Sequence, residues 1–249
     1  MEVAPQVERK IPLTRLAASG KFKGFGSEPL HETRTAKVER NERLDAMIDA
    51  WKRFRVPLKL SYIGSALDLF NEAGDIIRGL ACTSKDIEEF SLALSRFQGD
   101  ALFDLKAGLF LSALINHCPE RICVIHTSHL YEGISELGFR NTKDIVVEGD
   151  VGLLVGFEMK GGRILVRGSG GNSAGRSLEN GDIILEGNVC HAVGLSSRGG
   201  TITVKGDAGQ EVGAWMDGGD IHIFGEISSL SNDVQGGKIF HNGILIVDK

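Results

Sequence analysis

Residues 144–226 decide the fold, because they repeat with a fixed period: DIVVEGDVGLLVGFEMKGG (144–162), RILVRGSGGNSAGRSLENG (163–181), DIILEGNVCHAVGLSSRGG (182–200), TITVKGDAGQEVGAWMDGG (201–219) and DIHIFGE (220–226). Two columns of glycine keep this step without insertion or deletion: Gly149, Gly168, Gly187, Gly206 and Gly225, then Gly156, Gly175, Gly194 and Gly213. A column of apolar pairs also keeps it: Ile145/Val147, Ile164/Val166, Ile183/Leu185, Ile202/Val204 and Ile221/Ile223. Such self-similarity is the signature of a repeat architecture.

The apolar pairs predict how the repeating units are arranged. Successive side chains of a strand point to opposite faces, so the I-x-V alternation puts both apolar side chains of one unit on the same face. One short strand per unit cannot bury that face alone, whereas stacked coils bury it against their neighbours. We therefore predict a mainly β fold, a single-stranded β-helix with about 19 residues per coil, in which Ile145, Ile164 and Ile183 continue one interior ladder.

The residues before the repeat have the spacing of helices. Apolar side chains recur at intervals of three and four over residues 41–55 and 83–98, and Thr83 with Asp86 matches a capping box. Residues 56–63 alternate apolar and polar side chains and predict a strand. Helical spacing fades from about Leu109, and a strand is predicted at 122–125. The predicted division is an irregular N-terminal arm at 1–40, a small α+β cap domain at 41–105 and a β-helix domain at 106–249.

Composition excludes several classes of function. The 249 residues carry a formal net charge of -5, which gives no reason to expect nucleic acid as a partner. No apolar run approaches the ~18 residues of a membrane-spanning helix, and the N-terminus has no apolar core of a signal peptide. The four cysteines form no C-x-x-C pair and are expected to be free thiols. We expect a cytoplasmic protein without a membrane contact.

One motif resembles a catalytic site. Residues 171–175 (GNSAG) match the G-x-S-x-G nucleophile elbow of esterases, with Ser173 as nucleophile and His191 on the neighbouring coil as its base. However, both glycines belong to columns of the repeat, and no helical pattern follows the motif as an elbow requires. A stand-alone esterase or hydrolase is therefore the alternative function rather than the first.

A second cluster of reactive side chains precedes the repeat. Residues 117–129 (HCPERICVIHTSH) hold Cys118, Cys123, His126 and His129, which are ligand types that zinc prefers. The spacing is not that of a known zinc motif, and Cys123 falls inside the apolar run ICVI. The first expectation is accordingly no metal and no cofactor, with a zinc site on these four residues as the alternative.

The repeat resembles a known family. VGFEMKGGRILVRG, VGLSSRGGTITVKGDAG and VGAWMDGGDIHIFGE are similar to the GXGXG-type β-helix domain that occurs in the large subunit of glutamate synthase and in a subunit of formylmethanofuran dehydrogenase. The resemblance covers residues 130–249 and implies a right-handed β-helix that holds catalytic domains or subunits together without catalytic residues of its own. It implies a scaffold subunit of a multi-subunit oxidoreductase. The expected partners are its catalytic subunits or further copies of this chain, so we expect an oligomer.

Overall fold

The computed structural model describes residues 41–58 and 64–249, so the predicted arm at 1–40 lies outside the described residues. The helices of the described part are α1 (Glu42–Arg53), α2 (Gly64–Ile77), α3 (Ser84–Ala93) and α4 (Phe103–His117). The strands are β1 (Ile122–His126), β2 (Asp144–Glu148), β3 (Arg163–Val166), β4 (Asp182–Leu185), β5 (Arg198–Val204), β6 (Asp217–Ile223), β7 (Gly236–His241) and β8 (Ile244–Asp248). These strands form one sheet in chain order. The fold is a β-helix with a helical N-terminal region, and its winding fits a right-handed β-helix.

The predicted period of the coils is confirmed. Strands β1 to β7 pair in parallel, each with the next, and from β2 to β6 the inward residues pair at the spacing of the repeat, as in Ile164 with Ile183. The first step, from Cys123 to Ile145, is longer than this spacing, and the last parallel step, from Asp220 to Lys238, is shorter. Irregular coils therefore stand at both ends of the repeat, where each has only one neighbouring coil.

The predicted interior ladder is also confirmed. Equivalent inward side chains of successive strands stack in register and are each at most 1% exposed: Cys123, Ile145, Ile164, Ile183, Ile202, Ile221 and Ile239. Burying one such aliphatic side chain stabilises a protein by about 1.5–3 kcal/mol, so this ladder is a main source of stability. It also explains why Cys123 is buried, since it occupies the first rung.

A second wall of each coil consists of overlapping β-turns. In one coil, Phe157 N–H donates to the Leu154 carbonyl at 3.1 Å, and a second turn begins at Gly156. Leu154 and Gly156 have φ angles of 62° and 71°, in the left-handed region. Their N–H groups point to opposite neighbours, because Leu154 donates to Asn172 of the next coil and Gly156 donates to Leu137 of the preceding one, both at 2.9 Å. This wall is thus hydrogen-bonded between coils, as the sheet is.

The two glycine columns have different physical causes. Gly168 lies where the backbones of adjacent coils approach closely, and a Cβ atom there would be 2.5 Å from the carbonyl oxygen of Gly149. Gly175 lies in the turn wall with a φ of 69°, and a Cβ atom there would be 2.3 Å from Cδ1 of Ile202 in the interior ladder. The first column therefore permits close stacking of the coils, and the second makes room for the core.

The helical region closes the first coil. The Ser112 hydroxyl oxygen on α4 accepts from the N–H groups of Gly138 and Phe139 at 2.9 and 3.2 Å. On α3, the Ser91 hydroxyl oxygen accepts from the His126 N–H at 3.0 Å, at the edge of β1. A solenoid end exposes unpaired backbone groups that invite aggregation, and here side chains of two helices satisfy several of them.

The extent of the helical region differs from the prediction. The helices expected at 41–55 and 83–98 are confirmed as α1 and α3, the second with its capping box at Thr83. The expectation that helical character ends near Leu109 is wrong, because α4 runs to His117 across the predicted boundary at 105/106. Most of α4 is buried, so it lacks the one-sided apolar spacing that marks a surface helix. A strand was predicted at residues 56–63, but residues 56–58 are not in a strand, and residues 59–63 lie outside the described residues. The described part of the cap is therefore helical rather than α+β.

Candidate functional site

The GNSAG motif lies in the turn wall and not at a junction of strand and helix. Ser173 has a φ of 57°, and the residues at the same place in other coils, Leu154, Ala192 and Glu211, have φ angles of 62°, 56° and 61°. The Ser173 N–H donates to the His191 carbonyl at 2.7 Å, and the chain continues through a turn into β4. The left-handed conformation of Ser173 is therefore a property of the repeat, whereas a nucleophile elbow is a single strained turn followed by a helix.

His191 takes part in a hydrogen-bonded column that joins successive coils. Its N–H donates to Asn172 Oδ1 at 3.2 Å, and its ring Nδ1 accepts from the Gln210 N–H at 3.3 Å. Because Nδ1 accepts a backbone hydrogen bond, the neutral ring carries its proton on Nε2. Within the described residues no hydrogen bond joins the Ser173 hydroxyl to the His191 ring. The two residues are adjacent, but they do not form a nucleophile and base pair.

The four residues of the alternative zinc site are not brought together. Cys123 points into the interior, whereas His126, three residues later on β1, lies on the opposite face with Nε2 3.0 Å from Glu88 Oε1. Burial, with the neighbouring Cys118 thiol, raises the pKa of Cys123 to about 12, so it remains a protonated thiol. In the described residues, His129 included, no group of three or more His, Cys, Asp or Glu side chains could hold a metal ion.

The outward face of the sheet carries a column of apolar side chains. Alternation along the strands places Val146, Leu165 and Ile184 in register on this face, and all three are partly exposed. We call these three residues the outward column. Among the described residues, α3 packs against β1, and no helix packs extensively on the strands that follow. The outward column is therefore an apolar strip on a sheet face that the described helices leave open.

Columns of alternating charge flank this strip. On one side Glu148, Arg167, Glu186 and Lys205 follow at the spacing of the repeat, with Arg167 Nη1 3.0 Å from Glu148 Oε1 and Lys205 Nζ 2.7 Å from Glu186 Oε1. On the other side Arg163 Nη2 lies 3.1 Å from Asp182 Oδ2. Exposed ion pairs of this kind each contribute little to stability. Their regular alternation gives the surface a defined electrostatic pattern.

A cleft lies between the helical region and the first coils. Its volume is about 330 Å³, and leucines form much of its wall, among them Leu105, Leu153 and Leu154. Three polar residues also line it, namely Asp104 in the first turn of α4 and Ser135 and Glu136 in the first coil. We call it the Glu136 cleft. An apolar pocket with a few convergent polar groups is the usual form of a small-molecule site.

The two carboxyl groups of the cleft have different environments. Asp104 Oδ2 accepts from the Ser135 hydroxyl at 2.9 Å, and that hydroxyl oxygen accepts from the Leu153 N–H at 3.1 Å. Glu136 Oε2 is buried and has no hydrogen-bond partner. Burial raises the pKa of Glu136 to about 7, the nearby Asp104 carboxylate contributes to the increase, and Arg176 opposes it. Glu136 thus changes its charge near neutral pH, which is common at functional sites.

Neither the Glu136 cleft nor the flanking charge columns was predicted from the sequence. Glu136 occupies in the first coil the position that Leu154 has in the next, but the step between them is shorter than the period of the repeat, so a search at that period misses it. The charge columns were detectable, because Glu148, Arg167 and Glu186 alternate in sign at the repeat spacing.

Comparison with known proteins gives no match, so only the fold defines the class of protein. No known family model matches the sequence, and no curated protein is significantly similar to it. Within the described residues, no helix has the length and apolar character needed to cross a membrane. The chain is thus defined as a β-helix repeat protein with a helical N-terminal region and an outward sheet face that the described helices leave open.

Proposed function

We propose that this chain is a non-catalytic scaffold subunit of a multi-subunit oxidoreductase in the cytoplasm, of the glutamate synthase or formylmethanofuran dehydrogenase kind. The observation that carries the proposal is the outward column on a face that the described helices leave open. A scaffold needs a rigid surface with an apolar centre, and parallel coils joined by hydrogen bonds on two walls provide one.

The charge pattern around the outward column supports a protein as the partner. Protein interfaces have an apolar centre and a polar rim, and complementary rim charges fix the register of the two partners. Here the apolar strip is bounded on both sides by charges that alternate along the solenoid axis. A partner with the opposite alternation would be held at one register along that axis.

The geometry of the GNSAG motif also favours a scaffold over an esterase. His191 Nδ1 accepts from the Gln210 N–H, so in the neutral ring Nε2 carries the proton and cannot act as the base, and within the described residues no hydrogen bond joins the ring to the Ser173 hydroxyl. Ser173 and Gly175 are the residues of the motif with a positive φ, and the equivalent residues of other coils share this conformation.

Isolation of the chain from its native cells tests the proposal. We expect a tagged chain to co-purify with stoichiometric catalytic subunits of an oxidoreductase. The double variant Leu165→Arg/Ile184→Arg places two charges in the outward column and is expected to release them. Leu92→Arg is the matched control, because Leu92 is an exposed leucine on α3 and is not part of the outward column.

Three outcomes would overturn the proposal. The first is a chain that purifies alone and monomeric from native cells. The second is a complex that both variants retain equally. The third is ester hydrolysis by the purified chain that disappears in Ser173→Ala, which would establish the esterase. Light scattering distinguishes self-association from binding to catalytic subunits. Self-association would give a homo-oligomer that contains no redox subunits and that dissociates in the variant Leu165→Arg/Ile184→Arg.

A further inference from the structure

The Glu136 cleft combines an apolar wall with acidic groups. Leu105, Leu153 and Leu154 form part of a cavity of about 330 Å³, which falls in the lower part of the range of small-molecule pockets. Asp104 and Glu136 also line it, and they come from different elements, the first turn of α4 and the turn wall of the first coil. The helical region is thus part of the cleft, and the repeat alone does not form it.

Glu136 lacks the hydrogen bonds that a buried carboxyl group ordinarily has. Its Oε2 atom is inaccessible to solvent and has no partner, whereas Asp104 is held by the Ser135 hydroxyl. Nearly all buried polar groups in proteins are hydrogen-bonded, and an unpaired one is costly. The turn does not require an acid here, because the equivalent positions of other coils hold Leu154 and Ala192, and the acid at the third, Glu211, is exposed to solvent.

The charges around the cleft determine which charge a ligand should carry. Asp104 and Glu158 are the acidic neighbours of Glu136, and Arg176 is the basic one. A second arginine nearby, Arg140, is 3.7 Å from Glu158 and pairs with that carboxylate. With Glu158 paired to Arg140, the ionised carboxylates of Glu136 and Asp104 outnumber the remaining cation, Arg176, by one. A cation with an apolar body would satisfy both parts of the cleft. We propose that the Glu136 cleft binds a small organic ammonium ion, a primary amine attached to an apolar group.

The proposal predicts a distinctive pH dependence. A primary alkylamine keeps its charge between pH 6 and 8, since its pKa is close to that of lysine, about 10. Glu136 has a pKa of about 7 in the folded protein, so its ionised fraction falls from about nine-tenths at pH 8 to about one-tenth at pH 6. Amine affinity should therefore fall about tenfold over this interval.

Titration calorimetry of the full chain with n-hexylamine tests this site independently of the scaffold role. At pH 8 we expect hexylamine to bind at least tenfold more tightly than 1-hexanol or hexanoate, which share the alkyl chain. Glu136→Gln should weaken hexylamine at least tenfold at pH 8 and abolish the pH dependence. The control is Glu211→Gln, because Glu211 has the same place in its coil and a φ of 61° but is exposed. It should bind as the wild type does.

Several results would overturn the proposal. They are no binding of hexylamine at pH 8, equal binding of hexylamine and hexanol, or equal effects of Glu136→Gln and Glu211→Gln. Thermal melting of each variant establishes that it is folded, so a loss of binding cannot be attributed to unfolding. Asp104→Asn should also weaken hexylamine at pH 8. An unchanged affinity in this variant would likewise contradict the assigned charge environment.

Discussion

The substitution Gly175→Ala tests whether the second glycine column exists to make room for the interior ladder. Gly175 has a φ of 69°, and an added Cβ atom would lie 2.3 Å from Cδ1 of Ile202. Ile202 is buried at 1% exposure between Ile183 and Ile221, so any movement of its side chain has to occur inside the packed ladder. The new methyl group must therefore displace either the ladder or the backbone of the turn wall.

Two costs add in this variant. A residue with a Cβ atom in the left-handed region is less favourable than glycine by about 1–2 kcal/mol. Overpacking a filled core costs typically about 1–3 kcal/mol more. The expected loss in the free energy of unfolding is thus about 2–5 kcal/mol. Ser173 adopts a φ of 57° in the same coil, so the fold tolerates such strain alone, and the steric term decides the outcome.

Urea denaturation followed by circular dichroism measures this loss. The matched control is Gly161→Ala, since a Cβ atom there has nothing within 4 Å and Gly161 does not have a positive φ. We expect the control to change the free energy of unfolding by less than about 1 kcal/mol in either direction. A loss below about 1 kcal/mol in Gly175→Ala, or equal losses in both variants, would refute the reasoning. A partial rescue by Ile202→Val, which shortens the opposing side chain, would support it further.

Three other substitutions test separate features. The pKa of Glu136 rises from 4.5 to about 7 on folding, so the folded state retains a proton that the unfolded state has lost, and stability falls as pH rises through this window. Relative to the wild type, Glu136→Gln should therefore gain up to about 3 kcal/mol between pH 4 and pH 8 in urea titrations, and a constant difference would contradict the raised pKa. Ser112→Ala leaves the Gly138 N–H of the first coil without a partner, while the Phe139 N–H keeps its bond to the Glu136 carbonyl, so it should cost about 1–3 kcal/mol, whereas Ser95→Ala on the surface should cost little. Glu186→Lys puts like charges beside Arg167 and Lys205, so its melting temperature should fall in low salt and recover in about 1 M salt; a loss that salt leaves unchanged would point to another cause.

The repeat was predictable because three kinds of position follow one step. Apolar pairs, close-contact glycines and left-handed glycines each recur with the same period, and any one of them predicts the strand spacing that the structure shows. The interior ladder follows from strand alternation alone, so Ile164 and Ile183 can be assigned to the interior from their positions in the repeat.

The helical region was harder to predict, because its helices are specified by packing more than by pattern. In α4, residues such as Leu109, Phe110 and Leu111 are all buried, so no polar stripe marks one side as surface. The helix is placed by Ser112 and by close contact of Gly108 with the first coil, and neither contact leaves a periodic signal.

The Glu136 cleft could not be predicted for a similar reason. Asp104 and Ser135 are far apart in the chain, and only the docking of α4 on the first coil joins their side chains at 2.9 Å. For the Ser173 motif the sequence instead suggested a site that the structure does not form. Its residues match a catalytic pattern, but the repeat accounts for their conformation.

The charge columns restrict how a solenoid of this kind can change length. One coil adds about 4.8 Å along the axis, so duplication of a coil would be the simplest step of growth. In the column of Glu148, Arg167, Glu186 and Lys205, however, duplicating a single coil places two like charges next to each other. Duplicating two adjacent coils preserves the alternation. The charge columns therefore favour lengthening by a pair of coils, about 10 Å along the axis, over lengthening by one.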